Sequence, residues 1–456
     1  MAPSTRLSAP VWPGLLVLTG IAVTACASEK ADGDASDDTP TWHRDIAPIV
    51  QGRCVSCHQE GEIGPFSLGD YATAAPLADA IAASVEARTM PPWGAEPGLT
   101  EYLDDPSLSD DHIALFRAWA DAGAPEGDPS EAGEPWDDVS AAPLDGDLTL
   151  RSDVSYTVDG DPDDYRCFVI PWPEDTETKW VTGFDTDVDN RDVVHHVAAY
   201  LFRPDNVMGE GVFEQLQDWD DADPLPGYQC YGGPAGDASS QIPAQQLAQW
   251  VPGMGGVRFP EGSGIEVPPG SWIVLQMHYF DPGVTDLDDR TGLVLELADD
   301  VQWPGAFAPW LSGQWPIGGM DIPAGDPAVE HEVEGDPRGF FEFLVGGLDM
   351  SEGFDVHSSL LHLHKLGVRG ELDVTHADGS LSPILTVDPW DFDWQRVYRL
   401  AEPIHFRDGD SLRLKCTFDN SADNPQTGGA PVDTNWGEGS EDEMCVGNLF
   451  ITVPME

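Results

Sequence analysis

Five histidines and one methionine constrain this chain more than any other feature: His195-His196, His278, His362-x-His364, and Met444 within Glu443-Met444-Cys445. Imidazole serves both oxidation states of copper, and the soft thioether favours Cu(I), so the set suits a copper that cycles between them. Each member alone has a plainer reading. An isolated His-x-His is commonly an exposed strand face, and adjacent histidines are commonly one buried and one exposed. His278 alone would be a satisfied core histidine, and Met444 alone a core filler. The set carries the argument, provided the fold brings it together.

A second redox signature lies upstream. Cys54-Val55-Ser56-Cys57-His58 reads as covalent haem c attachment. The two thiols fix the haem as thioethers, and the adjacent His58 supplies the proximal nitrogen. A bare Cys-x-x-Cys would equally suit a disulfide or half a zinc site, but the immediate histidine and the lack of a second such pair point to haem. Met90, in Arg88-Thr89-Met90-Pro91-Pro92-Trp93, is the expected sixth ligand, since a proline loop presents its thioether rigidly. Met/His ligation suits electron transfer. His43 and His112 are the rivals for that position.

Length and charge set the frame. At 456 residues the chain is long enough for about three domains. Acidic residues number 82 against 21 basic, a formal charge of −61. No basic patch exists to neutralise phosphates, so nucleic acid and anionic lipid surfaces are not expected partners. The acidic, lysine-poor surface suits a salty medium, where self-repulsion is screened within roughly 8 Å. It suits generic solubility outside the cytosol equally well.

Residues 1–25 read as a secretion signal of the lipoprotein type. The apolar run Gly14 to Ala25 is too short to span a bilayer and ends in Val23-Thr24-Ala25-Cys26, which resembles a bacterial lipobox. Cys26 would then be the lipidated N-terminus, against an ordinary signal peptide cut nearby. This predicts an exported protein of the bacterial cell envelope, held to the membrane only by its lipid anchor. With Cys26 and the haem pair set aside, Cys167, Cys230, Cys416 and Cys445 remain, enough for two disulfides in an oxidising compartment. Three pairings are open; the simplest is local, Cys167 with Cys230 and Cys416 with Cys445.

The expected organisation is a small all-α, cytochrome c-like domain followed by two all-β sandwiches. Residues 26–41 are an acidic linker. Residues 42–127 form the haem domain, with helical spacing over Pro76 to Ala87 and over Ser109 to Gly123, where Ser-Asp-Asp begins the second helix. Residues 128–147 are a Pro-rich linker. Short β-prone runs follow, among them YRCFVI, HHVAAYLF, WIVLQMHYF, FFEFLVGG and NLFITV, separated by turn residues. They divide into sandwiches at 148–303 and 304–456. On a strand, His362 and His364 face one side and can grip one metal. His195 and His196 can share an ion only where their strand bends or bulges.

The order HHVAAYLF, LQMHYFDPG, LHLHKLG, DEMC resembles the copper type II, ascorbate-dependent monooxygenases over about residues 150–456. The resemblance implies two jelly-roll-like sandwiches, each carrying one copper on an inner face across a wet cleft. His195, His196 and His278 would hold the electron-transfer copper. His362, His364 and Met444 would hold the oxygen-activating copper, with open positions for dioxygen. A Cys416–Cys445 bridge would pin the Met444 loop. In the peptide-amidating members an arginine stands two residues before the first His of His-x-His, where this chain has Leu360. An asparagine and a tyrosine after Met-Cys there are Val446 and Asn448 here. Those groups anchor a peptide carboxylate, so peptide amidation is not expected.

The expected activity is hydroxylation of a C–H bond in a small molecule with O2. Two copper ions and haem c would be the cofactors, and ascorbate or a periplasmic redox carrier the external electron donor. The competing reading is a copper-binding electron-transfer or metal-handling protein without oxygenase turnover. Two histidines with a weak thioether favour the enzyme, because a storage site gains by saturating its copper.

Overall fold

The computed structural model describes residues 39–59, 64–136, 144–158, 164–173, 177–204, 211–231, 233–235, 244–251, 254–279, 287–437, 439 and 441–454. The signal segment and Cys26 lie outside the described residues.

The first unit is helical, built from Trp42–Ile46 and Ala47–Arg53, which runs into Cys54, then Tyr71–Ala74, Ala78–Glu86 and Asp110–Asp121. The last is capped as its sequence requires, the Ser109 hydroxyl accepting from His112 N. Their apolar faces enclose one small core of Trp42, Ile46, Ile49, Val50, Phe116 and Trp119. The stretch read as a linker is partly folded onto this unit. Gly133 N donates to His43 O (3.1 Å), and Trp136 sits under the Arg53 guanidinium (5.0 Å). Trp136 supplies the apolar surface that holds it there.

Two β-rich domains follow. In the first, a five-stranded sheet runs in the order Tyr228–Gln229, Asp164–Pro171, Trp272–Tyr279, Val194–Phe202, Gln245–Trp250. In the second, a four-stranded sheet runs Val329–Gly335, Ser411–Phe418, Gly367–Thr375, Leu381–Val387. Both pack on a single nine-stranded sheet. Its N-terminal half includes Gly292–Ala298, Lys179–Asp187 and Ser263–Val267, and its C-terminal half Trp303–Trp310, Val446–Thr452, Phe354–His362 and Tyr398–Phe406. The halves meet where Trp303–Pro304 pairs in parallel with Ser263–Gly264. The expected pair of separate sandwiches is therefore two sandwiches that share a sheet. Alternation along each strand does not reveal this, because it fixes the face and not the edge.

Apolar side chains from the paired sheets fill each core. Ile170, Leu201, Leu247 and Ile273 meet Val181, Phe184, Ile265 and Leu293 in the first. Leu372, Val374, Leu412 and Leu414 meet Val356, Leu361, Leu449 and Ile451 in the second. Two disulfides, Cys167–Cys230 and Cys416–Cys445, select the local pairing from the three that composition left open.

One β-prone run is helical. FFEFLV of this run lies within the helix Arg338–Val345, with Phe341 and Val345 buried one turn apart and Phe343 60% exposed. Asp336 Oδ1 accepts from Arg338 N at its start (3.0 Å), and Gly346 and Gly347 at positive φ end it. The i, i+4 burial of a one-sided surface overrides the β-propensity of the aromatics.

Phe450 crosses between the halves. Its strand belongs to the C-terminal domain, yet its ring stacks on Phe259 (4.4 Å) within the N-terminal core. Phe450→Ala should remove about 3–5 kcal/mol. Urea unfolding should then show a lower midpoint by fluorescence and by far-UV circular dichroism together, because both domains lose the same ring.

Candidate metal centres

The strand Val194–Phe202 meets Trp272–Tyr279 in antiparallel register until His278↔His196, after which Tyr279 pairs with Val194. The skipped residue is His195. This is the bulge that adjacent histidines need to aim at one point. His195 Nδ1 lies 3.1 Å from His278 Nδ1 and 3.4 Å from His196 Nδ1, and His278 Nδ1 lies 3.1 Å from His196 Nδ1. Three ring nitrogens that close repel one another through their lone pairs unless a cation sits among them. The Tyr165 ring stacks on His278 at 4.1 Å and nearly parallel, fixing its plane. His278 is buried, His196 half-buried and His195 exposed, so the cluster opens to solvent on one side.

The second cluster forms differently from the expected strand face. The strand Phe354–His362 ends at His362, and His364 lies just beyond it. The side chains nevertheless converge, with Nε2 to Nε2 at 3.2 Å. Glu443 makes this possible. Its buried carboxylate accepts from His364 N (2.9 Å), Leu366 N (2.5 Å) and Met444 N (3.3 Å), tying the turn after His362 to the methionine segment. Val446 pairs with His362. Buried Met444 lies two residues before Val446 and is tied to His364 through Glu443.

Each ring in this pair is also held from behind. His362 Nδ1 donates to Gln395 Oε1 (2.6 Å), and His364 Nδ1 donates to the Asp442 carbonyl (3.1 Å). Both acceptors can only accept, so both rings carry their proton on Nδ1 and present a bare Nε2 to the shared space. The trio thus converges through Nδ1 and the pair through Nε2. Cys445, bridged to Cys416, anchors the segment directly after Met444. Closing that loop contributes roughly 3 kcal/mol.

Electrostatics favours metal over protons. Burial, reinforced by His364, holds His362 down to about 4. Burial, then His278, His195 and His362, hold His196 well below the ordinary imidazole range. Burial lowers His364 as well. Glu443 is raised to about 8 by burial, against the pull of the backbone amides it accepts from. Near neutral pH the imidazoles of His196, His362 and His364 are uncharged donors.

Neither Gln395 nor Glu443 carried a sequence signal of its own, though Glu443 stands beside Met444. A cavity with room for little more than a water is lined by Phe184, Gln246, Gln249, Phe307, Ser358, Leu360, Val397 and Asn448. Leu360 and Ser358 sit two and four residues before His362 on the same strand face. None of the lining residues is charged.

In the helical unit, His58 Nδ1 lies 3.2 Å from the Phe66 carbonyl, leaving its Nε2 as the bare nitrogen, and the rings of His58 and Phe66 stack at 4.9 Å. Cys54 and Cys57 form no disulfide. Met90 is half-buried just after the helix Ala78–Glu86. The rivals have other partners: His112 Nδ1 meets Ser109 Oγ (2.8 Å), and His43 faces Glu126 (3.6 Å).

Two outcomes follow from these contacts. Gln395→Leu removes the acceptor behind His362 and should weaken copper binding at the pair 10- to 100-fold, with the trio unchanged. Copper titration followed by paramagnetic resonance separates the two. For the metal-free chain, His362 is depressed on folding, so its stabilisation is complete above the unfolded imidazole value and is lost as pH falls toward about 4. The urea midpoint should already drop between pH 6.5 and 5, and His362→Phe should flatten that slope.

Residues 151–285 match the family model for the copper type II ascorbate-dependent monooxygenase N-terminal domain, and residues 347–452 that for its C-terminal domain. MOXD1 homolog 1 of Drosophila melanogaster is 23% identical over 322 residues, which take in 67% of this chain and 42% of the fly protein. The chain thus spans less than half the length of that relative. Among solved structures, the major capsid protein P2 of bacteriophage PM2 aligns over 68% of this chain and 98% of its own at 8% identity, with a TM-score of 0.27. A PNGF-II structure aligns over 68% and 66% at 10% identity, with a TM-score of 0.23. Scores this low carry no weight on architecture. The histidine trio lies within one matched segment and the histidine pair with Met444 within the other: the chain carries both domains of the copper type II ascorbate-dependent monooxygenases.

Proposed function

We propose that the protein is a copper-dependent monooxygenase that hydroxylates a C–H bond of a small uncharged molecule, with electrons relayed through a fused c-type haem. Bound copper supplies one-electron chemistry and dioxygen activation, and bound haem supplies one-electron transfer. The observation that carries the reading is the opposite presentation of the two clusters. His195, His196 and His278 would hold one copper through three Nδ1 atoms, a saturating imidazole set suited to passing electrons. His362, His364 and Met444 would hold the other through two Nε2 atoms and a thioether, leaving positions open. Gln395 and the Asp442 carbonyl keep those two rings in the binding tautomer, and Glu443 sets the spacing between His364 and Met444.

The uncharged residues on the strand that leads to His362 support the substrate class. Leu360 and Asn448 stand opposite one another in the sheet, where a carboxylate would find no cation. Cys54 and Cys57, which form no disulfide with each other, and the carbonyl-held His58 support covalent haem, with Met90 as the second axial ligand. Two disulfides support an oxidising compartment, in keeping with export and Cys26 lipidation. Ascorbate or a small periplasmic redox carrier would be the external donor.

The test is metal and haem quantitation followed by O2 uptake with a reductant and paired donors, neutral molecules against carboxylate analogues of the same size. Two coppers per chain, haem that survives denaturation, and uptake stimulated by neutral donors only are expected. Met444→His should keep near-normal copper and haem reduction but lose substrate-dependent O2 uptake, because a harder ligand favours Cu(II). Full uptake in Met444→His, or no uptake by the fully loaded chain with any donor, would replace the enzyme with a copper electron carrier.

A further inference from the structure

Residues 93–105 run between the helices Ala78–Glu86 and Asp110–Asp121, yet they lie along the C-terminal sandwich. Ala95 bridges Val387 and Tyr102 bridges Leu400. Glu96 N donates to Thr386 O (2.8 Å), Leu103 N to Arg399 O (2.8 Å), and Ala401 N to Glu101 O (2.9 Å). The partners are Leu381–Val387, the edge strand of the four-stranded sheet, and Tyr398–Phe406, the edge strand of the nine-stranded one. The segment is therefore a strap that joins the edges of two different sheets.

One loop, residues 388–397, connects those two edge strands, and the strap holds both of its roots. At the first root Asp388 N donates to Gly94 O (3.2 Å), and Arg369 pairs with Asp388 of the loop and with Glu96 of the strap. At the second, the Arg396 guanidinium lies 4.8 Å from the Trp93 ring centre, within cation–π range. Trp93 also meets Tyr398 edge-on at 4.7 Å.

The same loop holds both histidines of the pair. Gln395 Oε1 accepts from His362 Nδ1 (2.6 Å). The other end of that amide, Nε2, donates to Phe392 O (3.1 Å), which decides the end that faces the ring. Trp390 Nε1 donates to His364 O (3.2 Å), while Trp390 N donates to Val368 O (2.8 Å). Trp93, Arg396, Gln395 and His362 thus follow one another in a single series of contacts and chain neighbours, and of these four His362 alone belongs to the candidate ligand set.

We propose that the strap is a positioning element of the pair: through Trp93 and Arg396 it sets the loop that keeps His362 in the tautomer with a bare Nε2. The inference rests on the pair as a copper site. A displacement of Gln395 by about 1 Å stretches its bond to His362 beyond hydrogen-bonding range. The imidazole proton is then free to occupy Nε2, the nitrogen that faces His364 and would bind metal. Trp93 and Arg396 touch neither histidine ring in this scheme; they act through the loop.

Nitrogen-15 resonances of the histidine rings in the full-length, metal-free chain near neutral pH report the tautomer directly. His362 should carry its proton on Nδ1 in the unaltered chain and should populate both tautomers in Trp93→Ala, Arg396→Met and Gln395→Leu alike. Titration with Cu(II), followed by paramagnetic resonance, should show the pair weakened about 10-fold in Trp93→Ala with the trio unchanged. Trp93→Phe keeps a ring against Arg396 and Tyr398 and should recover the affinity to within about 2-fold. Trp93→Ala added to Gln395→Leu should cost less than about 2-fold more, because both act through one hydrogen bond. An unchanged His362 tautomer in Trp93→Ala, equal weakening of pair and trio, or full additivity with Gln395→Leu overturns the positioning role. Arg396→Met carries the same comparisons if Trp93→Ala does not fold. Absence of copper from the pair in the unaltered chain overturns the copper assignment instead, and the metal-free tautomer still decides the role of the strap.

Discussion

The strand Val446–Thr452 is the member on which the rest of the molecule hangs. It pairs antiparallel with Trp303–Trp310 on one edge and with Phe354–His362 on the other. The first pairing ties the C-terminal domain to the sheet it shares with the N-terminal one. The second fixes where His362 ends its strand relative to Val446, and so where Met444 arrives. Glu443 completes the arrangement by accepting from the backbones of His364 and Met444 with one carboxylate oxygen. A buried carboxylate without such donors would be costly. Here the amides that need acceptors at the strand end are the ones it satisfies.

The two clusters differ in which nitrogen they offer, and each choice has a backbone cause. A bulge at His195 turns adjacent side chains toward one point and leaves the three Nδ1 atoms innermost. At the second site the chain leaves the sheet after His362, and the acceptors behind the rings, Gln395 and the Asp442 carbonyl, occupy Nδ1. The difference separates three nitrogens closed about one point from two that face one shared space.

Much of this was readable in residue order. The helix at Ser109, the β-rich body, both disulfides and the grouping of the histidines follow from local pattern and from resemblance. His195 and His196 even announced the need for a bulge, because their spacing cannot serve one point on a regular strand. What could not be read depends on sequence-distant partners. Gln395 reaches His362 from a loop with no motif of its own, and the sheet joins its halves through the short Ser263–Gly264 pairing. The helix at Arg338 was missed because aromatic residues favour strands until one-sided burial decides otherwise. The packed half of the presumed linker was missed because Pro and acidic content hid Trp136.

Residues 93–105, which bridge from the helical unit to Val387 and Leu400 of the C-terminal sandwich, also change how that unit counts as a module. Two covalent crossings would normally define a bead that can be cut from its string at 128–147. Here the middle of the bead is woven into its neighbour. Severing the chain in that stretch and discarding the first part would leave the edges at Thr386 and Arg399 without their backbone partners and uncover the aromatic surface of Tyr398. Open strand edges beside exposed rings invite association between copies. A shortened protein would therefore fail first by sticking to itself, and a transplanted helical unit would have to carry its host's sheet edge with it.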